Sequence, residues 1–157
     1  MTEAAPSRIE RLVAYYGRAA RNMQGLPMCN PALSVEAVGF REHEHAGRLV
    51  GVIVTPWFMN LTLLPSPVDL EAWRKGSLTR VSFPSGEYDF VIGDAGENGL
   101  IGTCSLFSLM HAFADHAAAR GAACAAAEAL FEPPAPPPAA QPRAAPAISR
   151  RRFLRGG

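Results

Sequence analysis

The most hydrophobic stretch of the chain runs from residue 51 to residue 65, and a proline divides it into two parts. Residues 51–55 are rich in Val and Ile, and residues 60–64 repeat this apolar character, so each part predicts a buried β-strand. Pro56 offers no amide hydrogen to a sheet, so the first strand has to end or bend there. The apolar corner between the two strands carries three large side chains in succession: Trp57, Phe58 and Met59.

Other segments with alternating apolar and polar residues predict further strands. Residues 87–94 alternate most regularly, with apolar side chains at the even positions up to residue 92. The opposite face of that strand carries Glu87, Asp89, Val91 and Gly93. The remaining predicted strands are residues 34–43, 48–55, 60–64, 78–83 and 100–106. We therefore expect an antiparallel sheet of five or six strands with short loops, including a turn near residues 45–47.

Helical periodicity predicts one helix before the first predicted strand and another after the last. Residues 7–24 place apolar side chains at a 3.6-residue period, and their first turn has the serine–glutamate spacing of a capping box. Residues 108–131 predict a longer, alanine-rich helix with Ser108 as its N-cap. A short helix is predicted over residues 66–75. The fold class is therefore α+β, with the sheet packed against an N-terminal and a long C-terminal helix.

The composition changes abruptly after residue 131. Seven of the 18 residues in the range 132–149 are proline and six are alanine. Such a segment cannot bury a core, so we expect a disordered or polyproline linker. The chain then divides into a single α+β domain (1–131), a Pro/Ala-rich linker (132–148) and an Arg-rich basic tail (149–157).

Charge is distributed unevenly along the chain. Fourteen acidic and ten basic residues precede Arg143, whereas five arginines and no acidic residue occur from Arg143 onward. The domain is mildly acidic and has no basic patch to extend a contact made by the tail, which argues against nucleic-acid binding. No segment approaches the roughly 18 apolar residues of a membrane helix, and the first residues lack the apolar core of a secretory signal. We expect a cytoplasmic protein without stable membrane insertion.

Three local patterns bear on chemistry, and each has a simpler structural interpretation. His43 and His45 could face one way and hold a metal, but no further ligand lies nearby in sequence. The glycines within residues 93–102 precede a strand instead of a helix, which argues against a phosphate loop. Cys104 could be a nucleophile, although a thiol in an apolar strand is commonly buried and inert. We expect no catalytic residue, metal or cofactor. A thiol-dependent enzyme or redox accessory protein that uses Cys104 is the alternative.

The tail contains the most specific short motif. Residues 149–155 are Ser-Arg-Arg-Arg-Phe-Leu-Arg and resemble S-R-R-x-F-L-K, the consensus of twin-arginine export signals. An export signal needs an apolar segment after the arginines, and two glycines follow here, so we expect the tail not to direct export. An exposed basic tail is the simpler interpretation. Its candidate partner-binding residues are Arg150, Arg151, Arg152, Phe153 and Leu154.

Six short motifs outside the linker occur in a characteristic order along nearly the whole chain. They are residues 30–31, 54–59, 83–86, 90–93, 104–108 and 149–156. Together they resemble the HybE/HupJ family of nickel–iron hydrogenase assembly chaperones. Their order and spacing, more than any single motif, make the resemblance specific.

The resemblance implies a chaperone and not an enzyme. It implies a role in maturing an uptake hydrogenase by binding precursor subunits, including the small subunit with its twin-arginine leader. Such binding would delay export until the cofactors are in place, and it is linked to protecting assembly from oxygen. The implied partners are the small-subunit precursor, the large-subunit precursor and a separate rubredoxin-type protein. The chain has no CxxC pair, so no rubredoxin iron site follows.

This function suggests where a client would bind. We expect the apolar corner to hold an apolar leader or immature surface, while carboxylates pair with the leader's arginines. The alternative is that Trp57 and Phe58 are core residues. The candidate acids, chosen because they lie close in sequence, are Glu87, Asp89, Asp94 and Glu97. Because the tail copies the leader's arginines, it could also occupy the leader site, in the same or a neighbouring molecule.

Overall fold

The computed structural model describes residues 4–134 of the 157-residue chain. The strands are β1 (Glu36–His43), β2 (His45–Val54), β3 (Met59–Leu64), β4 (Leu78–Phe83), β5 (Gly86–Asp94) and β6 (Leu100–Phe107). The helices are α1 (Ala5–Asn22), α2 (Pro67–Ala72) and α3 (His116–Leu130), and a 3-10 turn (Gly96–Asn98) joins β5 to β6. All strand pairs are antiparallel and form one sheet in the order β1-β2-β3-β6-β5-β4. The predicted α+β class is confirmed.

The apolar stretch forms a central hairpin of the sheet. β2 and β3 pair in register up to Val54, which lies opposite Met59. The turn beyond them is held by Thr55, whose hydroxyl accepts a hydrogen bond from the amide of Phe58 (2.9 Å). The backbone amide of Thr55 donates in turn to the carbonyl of Phe58 (2.9 Å). Pro56 therefore ends the first strand, as predicted.

The two faces of the sheet bury separate hydrophobic cores, because side chains alternate along each strand. The core under α3 includes Val52, Leu61, Phe90, Ile92 and Ala123. The core under α1 includes Leu12, Tyr16, Ile53, Leu64 and Ile101. The small alanine side chains of α3 let that helix lie close to the strands.

The C-terminal helix is shorter than predicted. α3 begins at His116, and its N-cap is Asp115, whose carboxylate accepts a hydrogen bond from the amide of Ala118 (2.8 Å). The predicted N-cap at Ser108 is therefore wrong, because a carboxylate cap seven residues later starts the helix instead.

The residues just before α3 form turns that Asn30 holds in place. The Asn30 side-chain amide donates hydrogen bonds to the carbonyls of Met110 and Phe113 (both 2.9 Å), which removes these carbonyls from a helical pattern. The backbone amide of Asn30 also donates to the carbonyl of Pro56 (2.8 Å). Asn30 thus connects the turns before α3 to the corner between β2 and β3.

The other two helices differ from the prediction at their ends. α1 begins at Ala5, has Pro6 in its first turn and has no side-chain cap, so the predicted serine–glutamate capping box is wrong. α2 starts as predicted, because Ser66 and Asp69 form a capping box. It ends at Ala72, earlier than the predicted residue 75.

The turn between the first two strands lies earlier than predicted. Glu44 adopts a left-handed backbone conformation (φ 66°), and β2 already begins at His45. His43 and His45 therefore lie opposite each other across a hairpin and do not share one strand.

The sheet curves around α3 until its two edge strands approach each other. His43 at the end of β1 donates a hydrogen bond from Nε2 to the carbonyl of Ser82 on β4 (2.8 Å). Its ring stacks on Phe83 with centroids 4.3 Å apart. Phe131, just after α3, packs edge-on against both rings. His43 thus has a structural role where the two edges meet.

Candidate functional site

Helix α1 covers only part of its side of the sheet. It packs mainly on β1, β2 and the 3-10 turn, and the side chains of the three strands farther along remain largely open to solvent. We call this region the open face. Its residues are Leu78, Arg80 and Ser82 on β4, Glu87, Asp89 and Val91 on β5, and Thr103 and Ser105 on β6.

Two aliphatic side chains lie side by side on the open face. Leu78 on β4 is directly opposite Val91 on β5, and these residues are 65% and 49% exposed. The solvated face of an antiparallel sheet is normally polar, and opposite side chains on one face stand about 4.5–5.5 Å apart. The pair is therefore a small apolar surface that the fold itself does not bury.

A charged group lies beside this aliphatic pair. Arg80 donates from Nε to Oδ1 of Asp89 (2.9 Å) and lies 3.8 Å from the carboxylate of Glu87. The hydrogen bond from Arg80 lowers the pKa of Asp89. Two carboxylates and one guanidinium leave a net negative charge at neutral pH, which favours a cationic ligand.

The aromatic corner lies on the same side of the sheet as the open face. The ring of Phe58 packs edge-on against Tyr16 of α1 (centroids 5.5 Å apart) and against Trp57 (5.4 Å). Burial raises the pKa of Tyr16 to about 12, so its hydroxyl stays protonated. Trp57 and Phe58 are each half-buried against the core under α1. The corner is thus part core and part surface.

Met59 faces the opposite side of the sheet. It is the first residue of β3 and is completely buried (0% exposed) in the core under α3. Adjacent strand residues point to opposite faces, so Met59 cannot share a surface with Phe58. Met59 is therefore inaccessible to a client on the side of the open face.

The four candidate acids fall into separate places. Glu87 and Asp89 lie on the open face, whereas Asp94 is at the other end of the same strand, roughly 23 Å from Glu87 at about 3.3 Å per residue. Glu97 lies in the 3-10 turn and pairs with Arg18 of α1 (3.3 Å). The fold therefore brings together only the first two acids.

Sequence reasoning missed two members of the open face, Leu78 and Arg80. Their relation to β5 depends on which strands pair and in what register, and that pairing was not predicted. One signal was available, since the alternation in residues 87–94 places Val91 on an otherwise polar face. A single exposed apolar residue is common on protein surfaces, so this signal gains weight only once Leu78 is found opposite Val91.

The thiol of Cys104 lies in a poor environment for a nucleophile. Burial, and to a smaller extent the negative charge of Asp89, raises the pKa of this thiol. Reactive cysteines need the opposite shift, toward the thiolate. Within residues 4–134, no three potential metal ligands lie close enough together to bind an ion.

Other sequence features fall partly outside the structure. No helix within the described range 4–134 is long and apolar enough to cross a membrane. The linker from residue 135 and the whole tail lie outside that range. So do the tail's candidate binding residues, Arg150, Arg151, Arg152, Phe153 and Leu154.

A groove, which we call the groove beside α1, lies between α1 and the segment 25–35. It has a volume of about 810 Å³ and is lined by apolar side chains together with Arg18 and Arg21. Its charged lining is cationic, so it is unsuited to an arginine-rich ligand.

Comparison with known proteins gives concordant matches. The family model for NiFe-hydrogenase assembly chaperone HybE matches residues 7–156. The hydrogenase expression/formation protein HupJ of Bradyrhizobium diazoefficiens is 46% identical over 139 residues, covering 87% of this chain and 79% of that protein. HupT of Azotobacter chroococcum mcd 1 is 42% identical over 114 residues, covering 73% of this chain and 75% of that protein. The solution structure of Escherichia coli HybE shares the fold, with a TM-score of 0.60, 21% identity and coverage of 91% and 90%.

Proposed function

We propose that this chain binds a hydrogenase small-subunit precursor by the precursor's twin-arginine leader. The chain belongs to the HybE family of nickel–iron hydrogenase assembly chaperones. Binding delays export of the precursor until its cofactors are in place. Family membership makes the chain a hydrogenase assembly chaperone. The client, the leader and the timing of export are what the proposal adds. The large-subunit precursor, a rubredoxin-type protein, a cytoplasmic location and protection from oxygen remain predictions.

One observation carries the proposal: exposed aliphatic side chains and carboxylates lie together on the open face. A twin-arginine leader presents the complementary groups, since its arginines are followed by an apolar segment. Guanidinium groups form charge-assisted, often bidentate hydrogen bonds with carboxylates. The apolar residues of the leader would bury Leu78 and Val91, which is favourable because it removes apolar surface from water.

The contact between Arg80 and Asp89 supports placing the arginines of the leader at the carboxylates of the open face. Its contact with Asp89 is already the guanidinium–carboxylate contact that a leader arginine would make (2.9 Å). Both side chains are exposed, at 65% for Arg80 and 46% for Asp89, so this internal pair holds weakly. A leader arginine can therefore take the place of Arg80 at little cost.

Reversing the charge of the two acids on the open face is expected to weaken leader binding about tenfold at low ionic strength, because attraction becomes repulsion. The variant is Glu87→Lys with Asp89→Lys in the full chain. Affinity is measured by fluorescence anisotropy with a labelled twin-arginine leader peptide, and confirmed by capture of the small-subunit precursor. The difference from the unaltered chain should shrink in high salt.

A matched control is available in the other two acids. Asp94→Lys with Glu97→Lys changes the net charge equally, but at sites away from the open face. We expect this variant to bind the leader nearly as well as the unaltered chain. Equal weakening by both variants would indicate a general charge effect, and no weakening by either would remove the open face as the arginine site.

The alternative thiol chemistry at Cys104 makes a different prediction. Because burial raises the pKa of this thiol, we expect iodoacetamide to alkylate Cys104 about tenfold more slowly at pH 8 than it alkylates the exposed Cys124. Mass spectrometry of the native full chain after timed labelling measures both rates. Faster labelling of Cys104, together with loss of hydrogenase maturation in Cys104→Ser, would favour the thiol enzyme.

A further inference from the structure

We infer that the Arg-rich tail occupies the open face of its own molecule and that the leader has to displace it. This inference rests on the proposed function, because the tail resembles the leader that the open face would bind. Residues 149–155 present adjacent arginines and then Phe153 and Leu154. A leader's arginines and apolar residues follow in the same order, so tail and leader compete for the same carboxylates and aliphatic side chains.

The described chain leaves the fold at the turn between β4 and β5, which borders the open face. The carbonyl of Leu130, the last residue of α3, accepts a hydrogen bond from the amide of Ser85 in the turn between β4 and β5 (3.3 Å). Phe131 then packs against Phe83 at the end of β4 (centroids 5.7 Å apart). Phe83 and Phe131 belong to the core under α3. The residues that follow α3 therefore start on the α3 side of the sheet and reach Glu87 by passing around the turn before β5, which begins at Gly86.

The tail is long enough to reach the open face in any conformation of the linker. The 16 residue-to-residue steps from Pro134 to Arg150 span roughly 20–25 Å as a coil and about 50 Å when extended. Val91 lies only about 13 Å along β5 from Glu87. A short tether of this kind places the tail at an effective concentration in the millimolar range.

Charge favours the open face over the groove beside α1. All five of the basic residues from Arg143 onward are arginines, and no acidic residue accompanies them. The groove is lined by Arg18, which pairs with Glu97, and by Arg21, and no acidic residue of the described range lines it. It therefore offers this segment no carboxylate. The open face presents Glu87 and Asp89, so it is the acceptor that complements the tail.

The test removes the tail's twin arginines in the full chain. We expect Arg150→Gln with Arg151→Gln to bind a labelled twin-arginine peptide about threefold to tenfold more tightly, because an intramolecular competitor is lost. The matched control is Arg143→Gln with Arg155→Gln, which removes the same charge but leaves the twin arginines and Arg152 intact. The control should bind like the unaltered chain. Equal affinities for all three proteins would overturn the inference.

A second measurement needs no leader. The backbone amide resonances of Val91 and Thr103 should differ between the unaltered chain and the Arg150→Gln, Arg151→Gln variant, and the difference should not depend on protein concentration. A concentration-dependent difference would mean contact between molecules and would overturn the assignment to one molecule. Unchanged resonances in a chain that binds the leader would remove the tail contact and leave the proposed function standing. Shifted resonances in a chain that does not bind the leader would support the tail contact and overturn the proposed function.

Discussion

Replacing Asp69 by alanine is expected to lower the free energy of unfolding by about 3 kcal/mol, the lower end of the usual cost of breaking a buried ion pair, because Arg48 keeps Glu44 as a second partner (3.0 Å). Arg48 donates from Nε to Oδ2 of Asp69 (2.8 Å) and from Nη2 to Oδ1 of the same carboxylate (2.5 Å). The two side chains are only 7% and 6% exposed. Asp69 also accepts a hydrogen bond from the backbone amide of Ser66 (3.0 Å). The substitution therefore also removes this hydrogen bond, one of the two in the α2 capping box. Urea denaturation followed by circular dichroism measures the loss.

The exposed ion pair on the open face provides the control. Asp89→Ala also removes a carboxylate that is bonded to an arginine, but solvent screens that pair. We expect Asp89→Ala to leave the urea midpoint essentially unchanged. Similar losses in the two variants would contradict the assignment of stability to the buried pair, and so would a stable Asp69→Ala protein.

The pH dependence of stability should report on the same carboxyl. Burial alone would raise the pKa of Asp69, but hydrogen bonds from Arg48 and Ser66 outweigh it and hold the pKa below its usual value. Its contribution is therefore complete above the unfolded pKa of about 3.9 and is lost as the pH falls through the folded pKa. The unaltered chain should lose stability below about pH 4 more steeply than Asp69→Asn. Parallel pH curves would argue against this origin.

The sequence predicted those parts of the fold that depend on local chemistry. Pro56 marked the turn between two strands because a proline cannot continue a sheet. The capping box at Ser66 marked the start of α2 because its groups lie within three residues of each other. The start of α3 was missed because Asn30, far away in sequence, takes the carbonyls of Met110 and Phe113 out of a helical pattern.

The candidate site was predicted less completely, for a related physical reason. Proximity in sequence grouped four acids, but a strand extends them over its length, so Glu87 and Asp94 end up far apart. The aliphatic pair and Arg80 became visible only when β4 was seen to pair with β5. β4 and β5 form a hairpin whose register is fixed by the turn at residues 84–85, and the sequence marked that turn without indicating its type or the pairing that follows from it.

Placing a lysine at both aliphatic positions of the open face is expected to weaken leader binding about 100-fold. Leu78→Lys with Val91→Lys removes two apolar side chains that the leader would cover, at roughly 1 kcal/mol or more each. It also places two ammonium groups where leader arginines and apolar residues would come close, which adds repulsion and desolvation. Isothermal titration of the full chain with a twin-arginine peptide measures the change.

The chain contains a matched pair of aliphatic residues for the control. Val68 and Leu70 on α2 are 64% and 54% exposed, close to the values for Leu78 and Val91, but they lie on a helix that packs mainly against β2, which is not part of the open face. Val68→Lys with Leu70→Lys therefore adds the same charge and removes the same side-chain types. We expect this variant to keep nearly full affinity, since only contacts on the open face should matter. Because all four side chains are exposed, neither variant should shift the urea midpoint appreciably. A 100-fold loss in both would attribute binding to net charge, whereas no loss in either would place the leader elsewhere on the molecule.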